Sequence, residues 1–155
     1  DTIADNISYG NHEAQAPYIH QMAQVAAADQ FINAMPEGYQ TVVGERGVGL
    51  SGGQKQRISL TRALVKDPKI LILDDTTSAL DMETEAEIQQ RLQAVAADKT
   101  VFIIASRISS LRHADQILVL QHGQLVASGT HEQLLNQGGY YAATYAQQTG
   151  GEPLG

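Results

Sequence analysis

Apolar positions recur along this chain at more than one period, and each period predicts a different element. Ile3 and Ile7 follow Thr2, with Asp5 three residues beyond it as a capping pair, so a short helix is expected within Asp1 to Tyr9. Gly10-Asn11 breaks it. Ile19, Met22, Ala23, Ala26 and Ala27 mark a second helix over Tyr18 to Ala28, and a third covers Asp29 to Ala34 before the Pro36-Glu37-Gly38 turn. From Ser51 a helical run continues to Lys66 and stops at Asp67-Pro68. The period then disappears: Ile70-Leu71-Ile72-Leu73 and Thr100 to Ala105 are continuously apolar, the pattern of strands covered on both faces. Between them Asp81 caps a helix over Met82 to Ala96, with Ile88, Leu92 and Val95 on its sheet-facing side and Glu85, Glu87 and Arg91 among them. Strand, helix and strand in this order predict a parallel pair joined by a right-handed crossover.

Past Ala105 the segments Gln116 to Leu120 and Gln124 to Ala127 flank Gln121-His122-Gly123 and predict a hairpin. Thr130-His131-Glu132-Gln133 is a capping box that starts a helix through Leu134 and Leu135, and a last helix spans Tyr140 to Gln147. Thr149 to Gly155 is expected to be a mobile tail.

Composition narrows the function. The 155 residues fit one domain, and 43% hydrophobic content supplies a core. A net charge of −7 without any Lys/Arg cluster argues against nucleic acid as a partner. The apolar runs are strand length, far below the roughly 20 residues of a membrane helix, and no basic segment leads into an apolar one at the start, so no secretory signal is expected. Without cysteine there are no disulfides or thiolate zinc sites, which suits a reducing compartment. His12, His20, His113, His122 and His131 stand in polar or turn contexts and are expected to be solvated, with no ligand spacing on one helix face. The chain does not begin with Met, and Asp1 reads as a cut point inside a longer protein.

The candidate chemistry sits at two element boundaries. Ser51, an N-cap residue type, precedes Gly52 and Gly53 at the positive end of a helix, an arrangement suited to phosphate. Asp74 and Asp75 close the Ile70 to Leu73 strand at the end where open α/β sheets present ligands, and Asp74 can hold Mg²⁺ through water.

In this order and spacing, Leu50-Ser51-Gly52-Gly53-Gln54 and Ile70 to Asp75 resemble the signature motif and Walker B segment of ATP-binding cassette (ABC) ATPases. Ser78-Ala79-Leu80-Asp81 falls where that family keeps its D-loop. The opening helices, with Thr2-Ile3 and Asn6-Ile7, are similar to the helical subdomain of ABC exporters. Gly44-Glu45-Arg46-Gly47, on composition only part of an extended segment broken by glycines, is similar to the X-loop with which exporters touch the coupling helices of their membrane domains.

The resemblance implies an α/β, P-loop NTPase-like fragment: parallel core strands with flanking helices, a helical subdomain on the N-terminal side and a C-terminal hairpin plus helices. Residues 1–66 would carry the helical subdomain and signature, residues 67–148 the Walker B, D-loop and H-loop region, and residues 149–155 the tail. It implies ATP and Mg²⁺ as ligands, Asp74 on the metal, and a location at the cytoplasmic face of the cell membrane. The implied partners are a second nucleotide-binding subunit and the transmembrane domains of an exporter. No G-x-x-x-x-G-K-[ST] loop is present, so the resemblance covers the C-terminal part of such a domain, which by itself is expected to bind ATP poorly.

Two positions depart from the family. Asp75 stands where a Glu normally polarises the attacking water, and its reach is shorter by one methylene. Ser106 stands where the H-loop has its switch histidine, and serine cannot become cationic. His113, seven residues further on, is too far displaced to replace it. An intact signature with weakened Asp75 and Ser106 resembles the degenerate half of a heterodimeric ABC exporter. A slow homodimeric ATPase using Asp75 as base, and a truncated non-catalytic ATP-sensing or interaction module, are the alternatives, and the cargo is left open among drug, lipid and peptide.

Overall fold

Several helix starts in this chain are fixed by side chains that close back on the main chain. In a computed structural model describing residues 1–44 and 48–150, Thr2 Oγ1 accepts the Asp5 N–H at 3.0 Å while the Asp5 carboxylate accepts the Thr2 N–H at 3.2 Å, which starts α1 (Ile3–Ser8). Ser51 and Gln54 close the same reciprocal box at the head of α4 (Gly52–Val65), and Thr130 with Gln133 does so for α6 (His131–Gln137). The Thr130 box was expected from the sequence as such and Thr2 with Asp5 as a capping pair; at Ser51 only the cap itself was.

The described residues divide into two units, the first running from Asp1 to Ile104 and the second beginning at Ala105. In the first, α1, α2 (Ala16–Val25), α3 (Asp29–Asn33) and α4 bury Ile3, Ile7, Met22, Ala23, Ile32, Ile58, Leu64 and Val65 in one cluster. The opening helix is held to α4 by polar ties. Arg62 Nε donates to the Asn6 carbonyl at 2.7 Å, and Gly10 lies so close that a Cβ there would stand 2.1 Å from the Arg62 carbonyl oxygen. Thr2 bridges Val42, and Val43 bridges Val48, so Val42 and Val43 are extended as expected.

β1 (Ile70–Asp74) pairs with β2 (Thr100–Ile104) in parallel, Ile70 opposite Thr100 through Asp74 opposite Ile104, with α5 (Met82–Val95) between them in sequence. Leu71 and Leu73 join Ile88 and Leu92 of α5 in the cluster, with Val101 packed against it. The expectation that both strands are covered on both faces is corrected here. Ile70, Ile72, Phe102 and Ile104 share the opposite face and are 60%, 63%, 53% and 55% exposed. The helices of this unit pack one side of the pair and leave the other exposed.

The second unit is built on the expected hairpin, β3 (Ile117–Gln121) antiparallel to β4 (Gln124–Gly129). Gln121 pairs with Gln124 across His122 (φ 50°) and Gly123 (φ 76°), and positive φ at both positions is what a two-residue type I′ connection requires. Ile117 and Val119 meet Ile108, Leu134 of α6 and Tyr141 of α7 (Gly139–Gln148).

His131 overturns the expectation of five solvated histidines. The residue is 7% exposed, its Nδ1 is 2.8 Å from the Tyr141 hydroxyl, and the Tyr145 ring packs edge-on with centroids 5.1 Å apart. The reason is long-range: α7 folds back and lays two tyrosines over the first turn of α6. His20 departs in part, lying 3.4 Å from Asp29 with its ring centroid 4.1 Å from that of Tyr39. His12, His113 and His122 are exposed as expected.

Burial, reinforced by Arg112 and His113 and opposed by Glu132, holds the His131 pKa below its ordinary 6.5. The neutral ring therefore belongs to the folded state, and the unfolded chain takes up the extra proton. The stability associated with the neutral ring is complete above about 6.5 and is lost as pH falls toward the folded-state value. Thermal unfolding of the second unit, followed by tyrosine absorbance, is expected to shift to lower temperature between pH 7.5 and pH 5. In His131→Gln that part of the pH dependence should vanish.

Candidate functional site

The site is assembled where the first turn of α4 meets the loop that follows β1. Ser51 is exposed, and its Oγ accepts the Gln54 N–H at 3.2 Å, which leaves the hydroxyl proton available to an outside acceptor. The Gln54 side chain returns to the Ser51 N–H at 2.9 Å, so this residue holds the turn rather than facing outward. Gly52 and Gly53 occupy the first two helical positions, whose N–H groups have no intrahelical acceptor. Leu50 is half-buried against the cluster and anchors the approach to the turn.

Asp74 and Asp75 are both exposed at the end of β1. The Asp75 N–H still donates to the Ile104 carbonyl at 2.8 Å, but its φ is 49°, so the chain leaves the strand at this residue through the left-handed region. From there Thr77, Ser78 and Ala79 lead to Leu80, which is buried, and to Asp81, the N-cap of α5. Thr77 Oγ1 donates to Glu85 at 2.8 Å, and Glu85 is 3% exposed on α5. Asp81 receives the Thr84 N–H and the Thr84 hydroxyl, each at 2.8 Å, and these two bonds, the backbone one first, hold its carboxyl below the usual range.

The loop and the turn touch. A Cβ on Gly53 would stand 3.0 Å from Leu80 Cδ2 and 3.1 Å from the Ala79 carbonyl oxygen, and one on Gly52 would stand 3.6 Å from Ala79 Cβ. The glycines thus admit the chain's own Ser78 to Asp81 loop, a use the sequence reading had assigned only to a ligand. A third participant is Gln56, which sequence reasoning missed. Its Nε2 donates to Ser78 Oγ at 2.9 Å and to the Asp75 carbonyl at 3.3 Å, and its Oε1 accepts the Ala79 N–H at 3.1 Å. A glutamine on a helix reads as a solvated position, and no local pattern marks it.

Ser106 belongs to the second unit, where it is exposed and its carbonyl accepts Gln148 Nε2 at 2.8 Å; Gln148 Oε1 in turn accepts the Ile108 N–H at 2.9 Å. Of the exporter-like loop, Gly44 is exposed with φ 121°, and Glu45, Arg46 and Gly47 lie outside the described residues. The first unit also holds a cleft of about 560 Å³, lined by Asp29, Arg57, Glu87 and Arg91 among others. Its cations are committed: Arg57 Nη1 donates to the Ala27 carbonyl at 2.8 Å, and Arg91 to Gln24 and Glu87.

Among the described residues no three His, Asp or Glu side chains converge as a metal cage. The exposed Asp74 carboxylate fits Mg²⁺, which commonly takes one or two carboxylates and fills its shell with phosphate and water. A fixed turn of first-turn donors ahead of a strand that ends in exposed carboxylates is an arrangement suited to a phosphate-bearing ligand.

The comparisons agree. Residues 2–78 match the ABC transporter family, and the chain is homologous to the ATP-binding domains of ABC exporters, whose mixed α/β fold it shares. It is 53% identical over 147 residues to an uncharacterized ABC transporter ATP-binding protein of Bacillus subtilis (strain 168), covering 95% of this chain and 25% of that protein. It is 51% identical over 148 residues to the ATP-dependent lipid A-core flippase of Legionella pneumophila (strain Paris), covering 96% and 25%. It is likewise 51% identical over 147 residues to the mitochondrial potassium channel ATP-binding subunit of Xenopus tropicalis, covering 95% and 21%. The solved structure of a bacterial Atm1-family ABC exporter with ATP bound superposes with a TM-score of 0.88 at 46% identity, over 96% of this chain and 26% of that one. The chain spans about a quarter of the length of the curated relatives it matches. ATP-binding domains of this family bind ATP, generally with Mg²⁺.

Proposed function

We propose that this chain is part of the ATP-binding domain of an ABC exporter subunit, working at the cytoplasmic face of the membrane against a second nucleotide-binding subunit, and that its own site is the weaker of the pair. The observation that carries the asymmetry is the shortened acid at position 75. Asp75 lies at the exposed end of β1, where it can reach water, but it is one methylene short of the residue that orients the attacking water in the family. A shortfall on the order of 1 Å at a reacting centre can cost about a hundredfold in rate. Ser106 offers a hydroxyl in place of an imidazole and withdraws a cation from the developing phosphate charge.

The signature has no comparable loss. Ser51 presents its hydroxyl, and the Gly52 and Gly53 N–H groups open the positive end of α4, toward the γ-phosphate of ATP held by the partner subunit. Asp74 would hold Mg²⁺ through water, and the ion would supply charge neutralisation on the phosphates. Leu50 and Gln54 keep the turn in shape, and Ser78, Ala79, Leu80 and Asp81 line the loop that follows. Gly44, Glu45, Arg46 and Gly47 are assigned to coupling with the transmembrane domains. No described helix is long and apolar enough to cross a membrane, and contact with the cargo is assigned to the transmembrane domains of the exporter.

The test uses the full-length protein with and without its partner subunit. Slow ATP turnover alone and a large increase on adding the partner are expected. Brisk hydrolysis by the isolated protein would favour a homodimer and remove the asymmetry.

A further inference from the structure

The three hydrogen bonds from the Gln56 side chain cross from the signature helix to the loop behind the Walker B strand. They do so at consecutive stations: the Asp75 carbonyl at 3.3 Å, the Ser78 hydroxyl at 2.9 Å and the Ala79 N–H at 3.1 Å. The Ser78 hydroxyl donates in turn to the Asp75 carbonyl at 3.1 Å, so the amide closes a small network rather than making isolated bonds. On its other side the loop is tied to α5 through Thr77 and Glu85. Below, Ala79 and Leu80 rest on Gly53, where a methyl group would be a tight fit.

We infer that Gln56 is a positioning residue that locks the Asp75 to Leu80 loop to the signature turn, so that the element serving a partner's nucleotide and the element following the chain's own carboxylates move as one body. The inference rests on the functional reading above and extends it. Geometry supports the assignment in two ways. Gln56 uses its amide oxygen and nitrogen on one loop, which a carboxylate or an alkyl chain of the same length cannot do. The two loop ends it holds are the backbone of the water-facing Asp75 and the residue immediately before buried Leu80. Releasing the amide frees the loop, the Asp75 carbonyl included, without removing the side chains of Ser51, Asp74 or Asp75. A nucleotide held by the same chain should therefore bind as before, and the loss should appear in turnover.

The experiment is made in the full-length assembly. Gln56→Ala is expected to lower kcat by about 10- to 100-fold, the size expected for a displacement of about 1 Å near a reacting centre, with KM for ATP within about twofold of the parent. Gln56→Glu keeps the acceptor for the Ala79 N–H and loses the donors, so it should fall between the two. Amide hydrogen exchange at Ala79 is the second readout: it should speed up in Gln56→Ala, and stay close to the parent in Gln56→Glu. Unchanged kcat together with unchanged Ala79 exchange overturns the inference. So does a loss of turnover that follows a lowered unfolding temperature and is recovered on cooling. Ser51→Ala is run alongside: if it leaves turnover intact, the functional reading fails, while Ala79 exchange still decides whether Gln56 holds the loop.

Discussion

Ser51→Gly in the full-length assembly is expected to lower ATP turnover by roughly 10²- to 10³-fold, the cost of removing one well-placed donor from a developing phosphate charge, whereas Asp75→Asn lowers it less than about tenfold. Glycine is the better substitution at position 51 because it replaces Ser as an N-cap at a cost of only a few tenths of a kcal/mol, against about 1 kcal/mol for alanine. The helix then survives and only the hydroxyl is lost. The small effect at Asp75 follows from the shortened reach: a group already displaced from its water contributes little that an amide can remove. Turnover measured under saturating MgATP, with both variants in the same subunit, checks the pair. Complete loss from Asp75→Asn would mean that this site does most of the hydrolysis and would reverse the assignment of the two halves.

Gly10→Ala is expected to be the most damaging single methyl group in the first unit. The new Cβ would sit 2.1 Å from the Arg62 carbonyl oxygen and 3.2 Å from its carbon, both of them main-chain atoms of α4 that cannot rotate away. Relief requires α1 and α4 to separate, which would break the Arg62 bonds to the Asn6 carbonyl at 2.7 Å and to its side chain at 3.3 Å. Overpacking of this kind costs about 3 kcal/mol. It should appear as a fall in unfolding temperature and as early proteolytic cleavage near Asn11. Gly123→Ala makes a useful contrast, since nothing lies within 4 Å of a Cβ there and the strain is limited to its φ of 76°.

Much of this architecture was legible because it is written in short range. Thr2 with Asp5, Asp81 before α5, and Thr130 with Gln133 each announce a helix start within four residues, and each cap is made as expected. The two apolar runs pair in parallel because β-branched and leucine-rich segments flanking an amphipathic helix have few other ways to satisfy their backbones. What escaped was set at long range. The exposed face of Ile70, Ile72, Phe102 and Ile104 depends on which layers are present, and composition gives no sign of it. The burial of His131 depends on Tyr141 and Tyr145 folding back from α7, although its own neighbours Thr130 and Glu132 are polar. Gln56 is identified only by what lies across from it, nineteen to twenty-three positions along the chain.

The left-handed turn at Asp75 bears on any attempt at repair. Aspartate and asparagine are among the few side chains that accept that backbone readily, because a short polar group can bond locally; longer residues lose roughly 1 kcal/mol there. Lengthening the acid to regain its missing reach would therefore set chemistry against conformation at one and the same residue, the point where the chain leaves the strand.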